Sequence, residues 1–463
     1  MKKTVSLLLL TAIIFTVCPF AFASCDSDGG KTEESISSAA ETSAVTSNES
    51  SKTEESEEMS REPINTEYVN AALGKRYELS KLYPEDKPSY PDETRKSMTD
   101  GVIVAEGASY ADPAFIGFNQ NGTDYRSNSY ASITIDLEKI YSLDKFVAHV
   151  GSEALGGGID APEFVWIYVA NEFGNWYEIG TTNHTDTTET NSIAATLELE
   201  EAITARYVQF RFLGSSNWVM VSEVEAFGRE AEDHIPYPEK TDVKNFLFVG
   251  NSATYYFNTA FKFKCLVESL GVNVDITTCC YGSAYLSYYA DPEYKPHGDT
   301  FRSKIAQKDY DFVVLQDNSG ADFDSAKNAI DVLMPFIKEN GAEAALYKRY
   351  SSSDDINNRI NSAKRHHTTY TKLAEEFGID KVAAAADAFL ICNEKYPEIN
   401  LYHTDNSHHN SAAAYMIACV MAIEYLDLDI TDATYTAGLD EATANALKEC
   451  AKIACTEGYN YPQ

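Results

Sequence analysis

The apolar and polar positions of this chain fall into four textures. After Met1-Lys2-Lys3 comes an apolar run to Val17; Asp26 through Glu62 is then largely Ser, Thr, Glu and Ala, without an aromatic residue. From about Tyr68 to Gly228, short runs of β-branched and aromatic residues alternate with polar ones. Examples are Ala131–Leu137, Phe164–Val169 and Tyr207–Phe212, with Gly, Asn and Asp between the runs. Period-two alternation with turn residues at short spacing predicts an all-β sandwich. From residue 244 the period changes. Phe246-Leu247-Phe248-Val249 leaves no polar face and reads as a buried parallel strand. Val272–Ile276, Asp311–Leu315, Ala344–Tyr347 and Val382–Ala386 predict further strands. Helical stretches follow Ser252 to about Leu270 and cover about 323–339, 353–377 and 411–425. Strands alternating with helices predict a parallel, three-layer α/β sheet. The fold class is therefore multidomain: an all-β sandwich followed by an α/β/α domain.

At 463 residues the chain exceeds one ordinary core, which fits that division. The boundaries read as 1–25 leader, 26–64 linker, 65–230 β-sandwich, 231–243 a short Pro-containing linker, and 244–463 the α/β domain. The formal net charge of −34 argues against nucleic acid and against electrostatic attraction to anionic lipid. Nine cysteines, seven of them after residue 260, are odd in number and lack paired CxxC spacings, so mostly buried free thiols are expected and no metal site on cysteine.

The leader has a basic start, an apolar middle and small residues at Ala21, Ala23 and Ser24, the marks of an export signal. Phe22-Ala23-Ser24-Cys25 resembles a bacterial lipobox, with phenylalanine in the usual leucine place. The resemblance implies lipidation of Cys25, membrane attachment through that lipid anchor alone, and an extracellular, cell-surface location; plain secretion after cleavage near Ala23 is the alternative. The polar segment that follows cannot bury enough apolar area to offset its ordering entropy, so it reads as a disordered tether.

Asn70-Ala71-Ala72-Leu73-Gly74-Lys75, Thr99-Asp100-Gly101, Ile135-Asp136-Leu137, Ala205–Arg211 and the closing Ser222–Gly228 resemble, in that order, the discoidin-like, coagulation-factor type C family. The resemblance implies a galactose-binding-like jelly roll, often a carbohydrate-binding module attached to a secreted enzyme. Trp176 and Trp218, on loop-like stretches, are the candidates for stacking on sugar, whereas Trp166 lies in an apolar run and reads as core. The resemblance also implies a structural calcium, with Asp100 and Glu223 as its carboxylates.

In the α/β part, Gly250-Asn251-Ser252 ends the first strand, Cys279-Cys280-Tyr281-Gly282-Ser283 follows the second, and Gln316-Asp317-Asn318-Ser319 follows the third. Asp405-Asn406-Ser407-His408 lies far downstream. Strand ends of an open α/β sheet are where ligands bind. These blocks resemble the SGNH (GDSL-like) hydrolase family over roughly 244–430, with asparagine at 251 where the family name has aspartate. The resemblance implies a flavodoxin-like three-layer domain and a serine esterase needing no cofactor. Ser252 is its nucleophile, His408 the base that takes the hydroxyl proton and later protonates the leaving alkoxide, and Asp405 the acceptor that fixes the imidazole tautomer. The N–H groups of Ser252 and Gly282 and the amide of Asn318 form the oxyanion hole. Gln316, two residues before Asn318, is the alternative amide. His403 and His409 flank the assigned histidine; His366 and His367, on a helix, read as solvated. With the attached module, the expected function is removal of acyl groups, acetyl above all, from a polysaccharide. The alternative is a non-catalytic glycan-binding surface adhesin with a degenerate hydrolase fold.

Overall fold

The computed structural model describes residues 64–79, 90–119, 131–214, 218–351 and 355–462. The leader, Cys25 and almost all of the polar tether lie outside the described residues. Among the described residues no helix is long and apolar enough to cross a membrane.

The first half is antiparallel. Among the described residues its strands are β1 (Val69–Asn70), β2 (Tyr77–Leu79), β3 (Ile116–Asn119), β4 (Ala131–Gly151), β5 (Phe164–Ala170), β6 (Tyr177–Thr181), β7 (Ser192–Leu213) and β8 (Trp218–Glu230). They pair in the order β1-β8-β4-β7-β5-β6, with β2 added on β4 and β3 on β8. The two longest strands, β4 and β7, pair along most of their length, with register shifts after Asp136 and Leu143. Such irregularities let one long strand bend and serve two layers. The enclosed core is aliphatic and aromatic, with Ile133, Ile135, Phe146, Val165, Ile167, Val208 and Phe210 all buried.

The second half holds the parallel strands β9 (Lys244–Gly250), β10 (Val274–Cys280), β11 (Phe312–Leu315), β12 (Glu343–Tyr347) and β13 (Val382–Ala383). Their order is β10-β9-β11-β12-β13, and every pairing is parallel. β9 is flanked on both sides, which is why its sequence carries no polar face. Phe246 and Phe248 point to one helical layer and Leu247 and Val249 to the other. The helices are α1 (Ser252–Tyr255), α2 (Thr259–Glu268), α3 (Leu286–Ala290), α4 (His297–Ile305), α5 (Phe323–Asn340), α6 (Ile356–Phe377), α7 (Ala385–Lys395), α8 (Ser411–Leu426) and α9 (Glu441–Thr456). α2 and α7–α9 cover one face of the sheet, and α3–α6 the other.

Three local expectations are corrected. Ala385 and Ala386 open α7 instead of extending the last strand, because alanine fits a helix start as readily as a strand end. The helix expected from 253 to 270 is broken by a turn at Tyr256–Asn258, where Phe257 and Asn258 take positive φ of 44° and 52°. Trp218 is the first residue of β8 and not part of a loop.

The seven described cysteines are all free, and six are buried. The two sheet systems pack on each other. Alternation along β5 sends Val165 and Ile167 into the antiparallel core, and Phe164 and Trp166 outward against α2. Trp166 is thus buried, but in this junction: its ring lies 5.0 Å from that of Phe261. Two lysines of α2 complete the contact, Lys262 pairing with Glu163 and Lys264 with Glu178 at 3.1 Å.

Candidate active site

The β9–α1 turn is built around small and amide side chains. A Cβ on Gly250 would lie 2.7 Å from both the Gln316 amide oxygen and the Thr254 hydroxyl, so only glycine fits. Asn251 caps α1: its Oδ1 accepts the N–H of Ala253 at 3.0 Å. Its Nδ2 donates to the carbonyl of Ala284 at 2.9 Å, tying this turn to the loop that carries Gly282. A carboxylate could not make that second bond, which is a physical reason for asparagine at 251. Ser252 begins α1 just past the carboxyl end of β9, an interior strand of the sheet, and is half-buried.

Gln316 is 1 % exposed, and its Oε1 accepts from the Asn251 N–H and the Thr254 hydroxyl, each at 3.0 Å. Its Nε2 donates to the carbonyl of Asp317. The amide oxygen and one N–H are engaged in holding the turn, and the whole side chain is buried beneath it. Asn318 is placed differently: one N–H of its amide donates to Ser283 O at 3.0 Å and its Oδ1 accepts from Gly320, so it stands beside Gly282 and Ser283. Burial pushes the Asp317 carboxyl up to about 6, and it accepts from the N–H groups of Leu286 and Asn318. Among the described residues, the backbone N–H groups of Ser252 and Gly282 have no acceptor within the chain.

The fourth block is a turn between Tyr402 and His409, which form an isolated bridge. Asp405 Oδ1 accepts the N–H groups of Ser407 and His408, both at 2.9 Å, and Oδ2 lies 2.7 Å from Nδ1 of His408. Partial burial raises the Asp405 carboxyl, but these hydrogen bonds outweigh it and hold the group well below the usual carboxylate range. Asp405 therefore stays ionised and can only accept, so Nδ1 of His408 is the donor in this contact. His403 Nδ1 lies farther from the same carboxylate, at 3.3 Å.

Two contacts join the His408 turn to the Ser252 segment. The Tyr256 ring, four residues after Ser252, lies flat on the His408 imidazole, with centroids 3.7 Å apart and planes 6° apart. His409 is fully buried: its Nε2–H reaches Tyr256 O at 2.9 Å, its backbone N–H reaches the Tyr350 hydroxyl at 2.9 Å, and Nδ1 lies 3.1 Å from that hydroxyl. Complete burial pushes its pKa down to about 3, so it is a neutral strut between the two segments. His366 corrects an expectation. It is buried under Arg349 and Ser319, and burial lowers its pKa to about 4, so it is not solvated. Neither role was legible in sequence: a histidine buried among hydroxyls and carbonyls looks in sequence like one in water. Tyr256 left a faint signal, its i+4 spacing from Ser252.

Of the sandwich candidates, Trp176 is partly exposed at the turn before β6, while Trp218 packs edge-on against Tyr90, 5.1 Å between rings, in a satellite cluster with Ile159 and Met220. Asp100 and Glu223 come together through Gly101, whose N–H is 3.0 Å from Glu223 Oε1. Glu223 is fully buried and its Oε2 has no partner. Burial and then the neighbouring Asp100 and Glu225 charges raise its pKa to about 8, against a Gly101 N–H that pulls it down. An orphaned buried carboxylate oxygen beside a second carboxylate fits a hard cation. Among the described residues no three His, Cys, Asp or Glu side chains cluster as a metal site, so such a cation would also draw on carbonyl oxygens.

No protein-family model matches the chain, and no curated protein matches it. Solved structures similar to parts of it include a putative SGNH hydrolase from Slackia heliotrinireducens, at 20% identity and TM-score 0.34, covering 40% of this chain and 99% of that one. A DUF4886 family protein from Bacteroides uniformis is similar at 17% identity and TM-score 0.42, over 48% of this chain and 98% of that one. The family 32 carbohydrate-binding module of NanJ from C. perfringens, solved with galactose, is similar at 12% identity and TM-score 0.25, over 35% of this chain and 97% of that one.

Proposed function

We propose that this chain is a serine esterase that removes acyl groups, acetyl above all, from carbohydrate. The observation that carries the reading is the His408–Asp405 contact of 2.7 Å on a turn whose imidazole is stacked on Tyr256, in the segment that starts at Ser252. In this mechanism Ser252 attacks the ester carbonyl while His408 Nε2 takes its proton. Asp405 keeps the proton on Nδ1, and the same imidazole returns its new proton to the leaving alkoxide. The uncommitted N–H groups of Ser252 and Gly282, with the second N–H of Asn318, are the donors for the oxyanion. Asn318 and not Gln316 takes this part, because Gln316 is buried under the turn while Asn318 is half-exposed beside Gly282 and Ser283.

The antiparallel unit, as a jelly-roll module, holds glycan and carries a structural calcium on Asp100 and Glu223. Export and lipidation at Cys25 tether the protein to the cell surface. Release of p-nitrophenol from its acetate ester tests the enzymatic reading. Ser252→Ala and His408→Ala should each lower the rate roughly a thousandfold or more, with circular dichroism unchanged. Equal background rates in all three proteins would instead favour the glycan-binding adhesin.

A further inference from the structure

A cleft of about 610 Å³ opens where the antiparallel sheet meets the amino-terminal edge of the parallel sheet. That volume lies within the range of roughly 300–1,000 Å³ usual for small-ligand sites. One wall is aromatic: Tyr177 and Tyr237 stack with centroids 5.0 Å apart and planes 16° apart, and Trp176 stands beside them, partly exposed. The wall continues out of the cleft. Phe173, at 69 % the most exposed large apolar side chain among those described, abuts Trp176 at 6.0 Å and Tyr207 at 5.7 Å. Such a ring surface left in water is informative in a way that a single exposed leucine is not.

The floor is polar and its charged groups are held in place. Lys264 is held by Glu178 and by the carbonyl of Val274 at 2.9 Å, and the Arg211 guanidinium lies 3.6 Å from the centroid of the Tyr168 ring. The lining carries as many basic as acidic side chains, in a chain of net charge −34. The cleft therefore presents flat apolar faces and fixed polar groups with no net formal charge. A pyranose has the complementary surface, with apolar C–H faces and a rim of hydroxyls.

We infer that this junction cleft, with Trp176 and Phe173 as its platform, binds a neutral oligosaccharide. The inference rests on the carbohydrate reading above and adds a location to it. Val274 begins β10 at the cleft, and Cys280 ends it beside the Gly282 loop. At about 3.3 Å per residue, cleft and candidate nucleophile lie roughly 20 Å apart along the strand. The cleft thus holds a glycan chain away from the ester being cut, and a short oligosaccharide occupying it does not reach Ser252.

The test is isothermal titration of the full chain carrying Ser252→Ala with hexasaccharides of β-1,4-linked xylose, glucose and N-acetylglucosamine. Because that variant cannot hydrolyse an ester by the proposed route, the outcome is independent of whether the wild type is an esterase. At least one hexasaccharide should bind saturably, and adding Trp176→Ala or Phe173→Ala should weaken it tenfold or more. Phe173 is so exposed that its removal leaves the fold intact. Binding by none of the three, binding untouched by both substitutions, or binding lost in Trp218→Ala alone would each overturn the inference.

Discussion

Two amides that are neighbours in sequence do different work at the candidate site. Gln316→Ala strands the buried Asn251 N–H and Thr254 hydroxyl, and each unsatisfied buried group costs about 1–3 kcal/mol. We expect a thermal midpoint lowered by several degrees, with the remaining folded protein retaining hydrolysis. Asn318→Ala removes only a half-exposed side chain, so the midpoint should hold while kcat falls on the order of a hundredfold, the effect of losing one oxyanion donor. The opposite pattern in melting and steady-state kinetics would return the oxyanion role to Gln316. Glu223 offers a pH test. Its carboxyl is raised from 4.5 to about 8, so it is uncharged at little cost near pH 4.5 and is forced to ionise above pH 8. With chelator present, stability should therefore fall as pH rises through that window, and added calcium should restore it at pH 8 but hardly at pH 5. A calcium shift of equal size at both pH values, or none, would remove the cation from Glu223.

At the scale of elements, the segment after Ser252 is held from outside its own domain. Glu163, just before β5, contacts both Lys262 and Asn258. Those contacts brace the turn where Phe257 and Asn258 adopt left-handed conformations that non-glycine residues seldom take. Glu163→Ala leaves the Lys262 ammonium buried without its partner, a change that typically costs 3–5 kcal/mol. Chemical denaturation should report a loss on that order, and Lys262→Met combined with Glu163→Leu should recover much of it. A loss under about 1 kcal/mol for Glu163→Ala would mean that the contact is solvent-screened. The strands around this turn were legible from sequence, because a short apolar run closed by glycine, such as Phe246–Val249 before Gly250, is too short for a buried helix. The broken helix was not: the residues from Ala253 to Leu270 have the period of one helix, and the break is imposed by contacts with Glu163 and His409 that lie far away in sequence.

For the whole molecule, the two halves share an apolar seam of Phe164, Trp166 and Phe261, reinforced by two lysine–glutamate pairs, so they should unfold in a single transition. Calorimetry resolving two independent transitions would contradict that coupling. The β-then-α/β order could be read from the change of hydrophobic period at residue 244, and the candidate chemistry from polar clusters after successive strands. The seam was only half legible: Phe164–Val169 is apolar on both faces, but nothing local says what covers the outer one. The same holds for the Tyr256–His408 stack, which depends on where two turns 150 residues apart meet.

Covalent trapping tests the central claim most directly. A fluorophosphonate reacts with a serine only when a neighbouring base makes its oxygen nucleophilic. Incubation of the wild type should give stoichiometric modification that peptide mapping assigns to Ser252, and the same reagent should leave His408→Ala unmodified. Absence of labelling at Ser252 in the folded wild type, or equal labelling in His408→Ala, would contradict the assignment of Ser252, His408 and Asp405 as one acyl-transfer site.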